Sequence, residues 1–99
     1  GVNYLEEYIE NLSEEEKEIL SNIVELTVFL PELAKPYIDW LKFSAQFIKD
    51  SVTFSFFLDY LEKFMEIGDR IQTAKTIGEI LLKAPVFTYP KDKIKSFIK

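Results

Sequence analysis

The sequence predicts an all-α protein, a compact bundle of five or six helices in one domain. Two observations carry this prediction. Residues 36–68 read as two consecutive helices that are apolar around most of their circumference, so other helices must cover them on several sides. With 99 residues, 47% of them apolar, and nine Phe, the chain has the length of one domain and enough apolar side chain for its own core. We therefore expect residues 36–68 at the centre of the bundle.

The N-terminal third predicts two amphipathic helices. A helix over residues 3–11 has one apolar side, formed by Tyr4, Leu5, Tyr8, Ile9 and Leu12. Ser13 with Glu16 three residues later is a capping box, which begins a second helix. That helix is predicted to end near Leu30, before Pro31. It should bury Ile19, Leu20, Ile23, Val24, Leu26 and Val28.

Three adjacent carboxylates, Glu14, Glu15 and Glu16, open the second helix and raise the question of a metal site. Consecutive helical side chains point about 100° apart, so they cannot converge on one ion. A charged first turn that suits the positive end of the helix dipole is the favoured interpretation.

The first central helix is predicted to begin at Pro36, since proline is favoured in the first helical turn. Its polar stripe is formed by Asp39, Lys42, Gln46 and Lys49. Trp40, Phe43 and Phe47 form an aromatic stripe that is either core or a platform for bases or a partner. Core is favoured, with Trp40 the residue expected to be partly exposed and with Trp40 and Phe43 as candidates for a partner groove.

The second central helix begins at Asp50 or Ser51. Residues 52–57 alternate like a strand, but a lone strand has no partner, so a helix is predicted. Gly68 should end this helix in the left-handed conformation. Asp69, with Gln72 three residues later, should begin the next one.

The following helix is predicted to carry Ile71, Ala74, Ile77, Gly78 and Leu81 on one face and to end at Pro85. Glycine inside a helix costs about 1 kcal/mol relative to alanine, so Gly78 suggests the close approach of another helix or of a ligand. Residues 84–90 are predicted to be a loop. Pro90 should then open a last helix with Ile94, Phe97 and Ile98 inward and Lys91, Lys93, Lys95 and Lys99 mostly outward.

The residue types that are missing restrict the chemistry. The chain has no His and no Cys, which excludes His-based acid–base catalysis, thiolate catalysis and ordinary zinc sites. Its three glycines are isolated, so neither common phosphate-binding loop is present. The 17 carboxylates show no recognisable catalytic pairing. We therefore expect a domain that is not an enzyme by itself and that holds no metal.

Charge is distributed unevenly along the chain. Residues 1–34 carry a net charge of −8, whereas residues 70–99 carry +5. Such polarity indicates either two surfaces with different partners or simply two solvated faces.

The basic end contains one constellation of interest, in which cations alternate with aromatic residues of the predicted loop. Its members are Arg70, Lys75, Lys83, Phe87, Tyr89, Lys91, Lys93 and Lys95. Cations neutralise phosphates and aromatic faces stack on bases, so this pattern is typical of a single-strand nucleic-acid site. The alternative is a solvated, lysine-rich end whose two aromatic rings pack on the bundle.

Residues 3–99 are predicted to form an Ile-, Lys-, Glu- and Phe-rich helical domain without His or Cys. In this overall character the chain resembles the helix-bundle domains that follow the catalytic module in archaeal plasmid primase-polymerases. No motif carries this resemblance, so no site residue transfers. It implies a domain that binds single-stranded DNA template, and admits ATP or another nucleotide as a ligand, to help start a primer during DNA replication. Catalysis and its metal ions would lie in another module of the same chain.

A competing hypothesis is a protein-interaction module, docking a partner on the acidic N-terminal helices or near Trp40. A large exposed apolar patch would favour it. No apolar run approaches the ~20 residues needed to span a bilayer, so no membrane partner is expected. The absence of Cys favours a cytoplasmic protein. The start at Gly1-Val2, without Met, suggests a domain excised from a longer chain.

Overall fold

The computed structural model describes residues 2–31 and 33–98. Its elements, in chain order, are α1 (Val2–Glu10), α2 (Glu14–Leu26), a 3₁₀ turn (Thr27–Phe29), β1 (Tyr37–Asp39), α3 (Trp40–Lys49), α4 (Ser51–Met65), α5 (Arg70–Lys83), β2 (Thr88–Pro90) and α6 (Lys91–Ile98). The predicted compact helical bundle is confirmed, with the addition of a small sheet. The radius of gyration is 12.5 Å, as expected for a compact chain of this length.

The helix at the centre is α2, which packs against α4, α5 and α6. The prediction that residues 36–68 form the centre is wrong for α3, which packs mainly on α4 and β1. Leu41 and Ile48 of α3 are 63% and 62% exposed. A helix with apolar residues around most of its circumference therefore need not be packed against other helices on every side, because single apolar side chains are common on protein surfaces.

Helix starts follow the predicted capping chemistry. The Ser13 Oγ accepts a hydrogen bond from the Glu16 amide at 3.1 Å, and the Ser13 amide donates to Glu16 Oε1 at 2.9 Å, which confirms the capping box. Asp50 caps α4 and Asp69 caps α5. An amide at the first turn has no helical acceptor, so these side chains satisfy it.

The ends of α2 and α4 differ from the predictions. Helix α2 ends at Leu26 and continues as the 3₁₀ turn, which leaves Val28 61% exposed instead of buried. The residue in the left-handed conformation after α4 is Glu66, with φ of 53°, and not Gly68. Glycine adopts the left-handed conformation at little cost, but its presence does not decide which residue of the chain adopts that conformation.

The two strands form an antiparallel pair in which Tyr37 lies opposite Pro90 and Asp39 opposite Thr88. The prediction of a helix from Pro36 and of a loop over residues 84–90 is wrong here. The Trp40 amide donates to the Phe87 carbonyl at 2.9 Å and the Lys91 amide to the Pro36 carbonyl at 2.9 Å. The pair thus fixes the starts of α3 and α6 side by side.

The apolar sides predicted for α1 and α5 are only partly buried. Helix α5 buries Thr73, Ile77, Ile80 and Leu81, whereas Ile71 is exposed. Tyr4 of α1 is exposed as well. A Cβ added to Gly78 would meet no atom of another described element within 4 Å, so no close approach of another helix explains this glycine. Lys99, predicted to point outward, lies outside the described residues.

Within residues 2–31 and 33–98, no helix combines the length and the hydropathy that crossing a bilayer requires.

Candidate nucleic-acid interface

Arg70, the first predicted site residue, is engaged by α4. Its Nη1 donates to Asp59 Oδ1 at 2.7 Å and to Glu62 Oε1 at 3.0 Å, and its Nη2 donates to the Ser55 hydroxyl at 3.1 Å. The hydrogen bonds to Glu62 and Asp59 raise the pKa of Arg70. This guanidinium joins the start of α5 to α4, so its donors are used within the fold.

Three of the predicted lysines also have partners. Lys83 pairs with Glu79 at 3.8 Å, and Lys95 of α6 pairs with Glu25 of α2. The Lys91 ammonium donates to the Leu33 carbonyl at 2.8 Å. Burial lowers the pKa of Lys91, and the nearby charge of Lys95 lowers it further. The contacts of Lys91 and Lys95 hold α6 to the rest of the bundle, whereas the Lys83 pair lies within α5.

Lys75 and Lys93 are exposed, and no carboxylate in the described part of the chain forms an ion pair with either. They lie on different helices, α5 and α6. Of the eight residues in the predicted constellation, these two keep a cation that the fold does not use.

The predicted aromatic residues pack on the bundle. The Phe87 ring stacks on Trp40, with centroids 4.8 Å apart, and the Tyr89 ring packs on Phe97 at 6.0 Å. Trp40 is 3% exposed and its Nε1 donates to the Leu81 carbonyl at 3.3 Å. The expectation that Trp40 is partly exposed is therefore wrong. Phe43 is 1% exposed, so neither residue forms an open partner groove.

The engaged cations also face different grooves. Arg70 lines a groove with Phe54 and Leu58 of α4. Lys83 lines another with Glu7 of α1, and Lys91 and Lys95 together line a third with Glu25 of α2. The structure therefore does not bring the predicted constellation together on one surface.

A different set of lysines does share one concave surface. A groove of about 790 Å³ lies between the outer face of α3 and the connector after the 3₁₀ turn, to which Leu33 and Lys35 belong. Its lining residues are Leu33, Lys35, Lys42, Ala45, Gln46, Lys49, Asp50 and Ser51. We call this surface the basic groove.

The cations of the basic groove, Lys35, Lys42 and Lys49, are all exposed. None forms an ion pair with a carboxylate of residues 2–31 or 33–98. Lys42 and Lys49 lie two helical turns apart on α3, a separation of ~10 Å along the axis. The sequence pattern indicated this polar stripe, but it gave no sign that Lys35 of the connector would join it.

The acidic residues near these lysines serve as helix caps. Asp50 Oδ1 accepts the amides of Val52 and Thr53 at 3.0 and 3.1 Å, and Gln46 donates to Asp50 Oδ2 at 2.8 Å. The amide of Thr53 is the main reason that the pKa of Asp50 is lowered. Because this carboxylate faces the amides at the start of α4, its charge offsets the helix dipole there.

A smaller pocket opens beside the basic groove and shares Leu33, Lys35 and Lys42 with it. Its volume is about 200 Å³, and its other lining residues are Thr27, Tyr37, Ile38, Asp39, Phe43 and Thr88. We call it the side pocket. Tyr37, in β1, is 56% exposed.

The two cavities are adjacent, with three lining residues in common. Strand β1 places Ile38 inward and leaves Tyr37 and Asp39 exposed, as the alternation of a strand requires. Sequence reasoning missed this arrangement because it assigned Tyr37 and Ile38 to a helix. A short strand at a helix N-terminus gives no periodic signal that would have revealed it.

In the described part of the chain, no three acidic side chains lie close enough together to hold a metal ion. Comparison of the chain with models of protein families, with curated proteins and with solved structures found no match.

Proposed function

We propose that this domain binds a single strand of nucleic acid in the basic groove and is not an enzyme by itself. The observation that supports the proposal is the row of Lys35, Lys42 and Lys49 along one open concave surface without carboxylate partners among the described residues. Cations without a carboxylate partner among the described residues are available to neutralise phosphates and release their counterions.

A single strand suits this site better than a duplex. Its backbone is flexible enough to follow a concave groove, and its unpaired bases can reach an aromatic face. Tyr37, which lines the adjoining side pocket and is half exposed, offers such a face. The proposed site thus keeps the combination of cations and an aromatic ring, but in residues 35–49 and not in residues 70–98.

The resemblance to primase-polymerase helix bundles gives this binding a role. The strand would be the DNA template, and another module of the same chain would carry out catalysis. A nucleotide such as ATP has the same phosphate chemistry and is a second ligand for the lysines.

Two matched triple variants test the proposal. The first replaces Lys35, Lys42 and Lys49 by Gln, and the second replaces Lys75, Lys83 and Lys93 by Gln. Both remove three positive charges, but only the first removes them from the basic groove. Binding of a fluorescently labelled single strand is followed by anisotropy between about 50 and about 200 mM salt.

We expect wild type to show a log–log salt slope of roughly −2, because each neutralised phosphate on a single strand contributes about −0.7. The groove variant should bring the slope close to zero, whereas the control variant should keep most of it. Equal losses in both variants, or no binding by wild type at low salt, would contradict the proposal.

A second candidate function, protein interaction, is favoured by one specific observation. Four large apolar side chains are exposed around the 3₁₀ turn and the start of α4: Val28, Phe29, Val52 and Phe56. The rings of Phe29 and Phe56 meet edge to face at 6.4 Å. An exposed pair of aromatic rings with further apolar side chains nearby in the chain is typical of a surface that makes protein contacts.

Sedimentation equilibrium tests the simplest form of this function, association of two copies. A dimer that becomes monomeric when Phe29 and Phe56 are both replaced by Glu would support it. A wild-type protein that stays monomeric at high concentration would count against self-association through this surface.

A further inference from the structure

We infer that the side pocket receives a single base from the nucleic acid held in the basic groove, and that it prefers bases that carry an amino group. This inference rests on the proposed function. Its structural basis is that Leu33, Lys35 and Lys42 line both cavities. A phosphate on either lysine would therefore hold its own base beside the mouth of the pocket.

The size and walls of the pocket suit one flat ring. Its volume of about 200 Å³ exceeds the ~150 Å³ of an apolar cavity that holds benzene. Ile38 and Phe43, both almost fully buried, provide apolar walls, and Tyr37 provides an aromatic ring. A base that leaves the stack gains contact with such walls, whereas a base pair is too large.

Among the polar side chains that line the pocket, Asp39 and Thr88 give it a chemical preference. Asp39 and Thr88 both line it, and the register of the two strands places them opposite each other. Asp39 Oδ1 accepts the amides of Leu41 and Lys42 at 3.2 and 3.4 Å. A carboxylate has about four acceptor sites, so Asp39 keeps acceptor capacity beyond these two bonds.

A carboxylate oxygen with remaining acceptor capacity favours donors on the edge of the base. Cytosine offers its N4 amino group and adenine its N6 amino group, and guanine also carries an amino group. At the position of the cytosine amino group thymine presents the O4 acceptor, which a carboxylate disfavours, and its one ring donor is the N3–H between two carbonyl oxygens. The pocket should therefore discriminate against thymine.

The same base and phosphate chemistry could come from a strand or from a free nucleotide. Binding is therefore measured with three labelled strands and one mononucleotide. The strands are an oligothymidylate, the same strand with one central cytosine, and the same strand with one central abasic site. Cytidine monophosphate is tested as a competitor.

For wild type, we expect the strand with one cytosine to bind roughly fivefold more tightly than oligothymidylate, the value of one net hydrogen bond of about 1 kcal/mol. The abasic strand should bind no better than oligothymidylate. Cytidine monophosphate should compete only weakly, because a strand occupies several lysines at once and a mononucleotide does not.

Two variants locate the preference. Thr88→Trp places a bulky ring at the pocket in a strand that tolerates aromatic residues, and should abolish the preference for cytosine without changing the salt slope. Val86→Trp is the matched control, since Val86 is exposed and does not line the side pocket. Asp39→Asn keeps a good helix cap but adds a donor, so it should shift the preference toward thymine.

The outcomes separate this inference from the proposed function. Failure of wild type to bind any strand at low salt would remove both. Normal binding with the expected salt slope but equal affinity for all three strands would overturn the base pocket alone. Strong competition by cytidine monophosphate, lost in Thr88→Trp, would overturn the strand as the source of the base. Circular dichroism of each variant ensures that a lost preference is not a lost fold.

Discussion

Residues 70–98 and residues 33–51 both carry several positive charges, but the fold treats them differently. In the first region, Arg70 joins α5 to α4, Lys91 donates to a backbone carbonyl and Lys95 pairs with α2. In the second, Lys35, Lys42 and Lys49 have no such partner among the described residues. The number of cations in a stretch of sequence therefore does not predict a binding surface.

The aromatic residues show the same contrast. Phe87 and Tyr89 pack on Trp40 and Phe97, whereas Tyr37 is half exposed beside a pocket. A ring that already stacks within the protein cannot stack on a base without leaving its neighbour. Availability is thus decided by what the fold leaves unused, which is the basis of the predictions below.

The largest effect should come from Phe87→Ala. Removing a ring that stacks on buried Trp40 should lower the free energy of unfolding by about 3 kcal/mol, the low end for Phe→Ala because Phe87 is partly exposed. Tyr37→Ala, at an exposed ring, should change it by less than about 0.5 kcal/mol but should weaken strand binding. Urea unfolding, followed by the fluorescence of Trp40, the only Trp, measures the free energy of unfolding of both variants.

The opposite order of effects in the two variants would contradict the contrast between the two regions. If Tyr37→Ala destabilised the fold strongly, or if Phe87→Ala weakened strand binding in the folded protein, the aromatic residues of the two regions would have exchanged roles.

Tyr8→Phe tests how firmly α5 is attached to α1. The Tyr8 hydroxyl donates to the Ile80 carbonyl at 2.5 Å, and its loss should cost about 1 kcal/mol. Burial, with a smaller effect of Glu16, raises the pKa of Tyr8. The unfolded chain therefore loses this proton at a lower pH than the folded chain does, and the stability of wild type should fall as pH rises above about 10.

Comparing the two proteins at each pH isolates this contribution. Lys91, with its lowered pKa, acts with the opposite sign at alkaline pH but is present in both. The stability difference between wild type and Tyr8→Phe should therefore shrink above about pH 10. A difference that stays constant would show that the hydroxyl is not held in a buried hydrogen bond.

Gly78→Ala should stabilise the protein by up to about 1 kcal/mol, because an added Cβ meets open space and alanine has the higher helix propensity. This would sharpen the comparison by showing that one face of α5 has no packing role. Thermal unfolding measures the gain. A loss of stability would instead restore the predicted close approach at this position.

The smallest effect concerns Asp50, which lies in the basic groove but caps α4. Its lowered pKa, due mainly to the amide of Thr53, means that the unfolded chain takes up a proton before the folded chain does. Stability should therefore fall as pH drops through the ordinary Asp range toward the folded pKa. Asn also caps helices well, so Asp50→Asn should keep the cap, and its stability should fall less than that of wild type as the pH drops.

Removing this charge should also tighten strand binding modestly at neutral pH. Urea titrations from acid to neutral pH and anisotropy at low salt measure the two effects. If the stability of Asp50→Asn fell with decreasing pH as steeply as that of wild type, Asp50 would not gain its stabilising contacts on folding.

Local signals in the sequence predicted the features that depend on neighbouring residues. The capping box of Ser13 and Glu16 and the helix at residues 52–57 are examples. The buried side of α2, from Ile19 to Leu26, follows directly from helical periodicity. Such features need only residues within a turn or two of each other, so their physical cause is visible in the sequence.

Features that depend on distant residues could not be predicted in this way. The pairing of Tyr37 with Pro90 joins two short segments that are far apart in the chain and have no periodic pattern. The partners of Arg70 and Lys95 lie on other helices, so the sequence did not show that these cations are engaged. Lys35 joins the basic groove only because the connector folds back along α3.

The most direct measurement is an amide chemical-shift titration of the isotope-labelled protein with a short single strand at low salt. We predict that the perturbed amides cluster in β1, α3 and the connector before them, around Lys35, Tyr37, Lys42 and Lys49. Amides of α5 and α6 should move little. Perturbations centred on Lys75 and Lys93, with the basic groove unaffected, would contradict the assignment of binding to Lys35, Lys42 and Lys49.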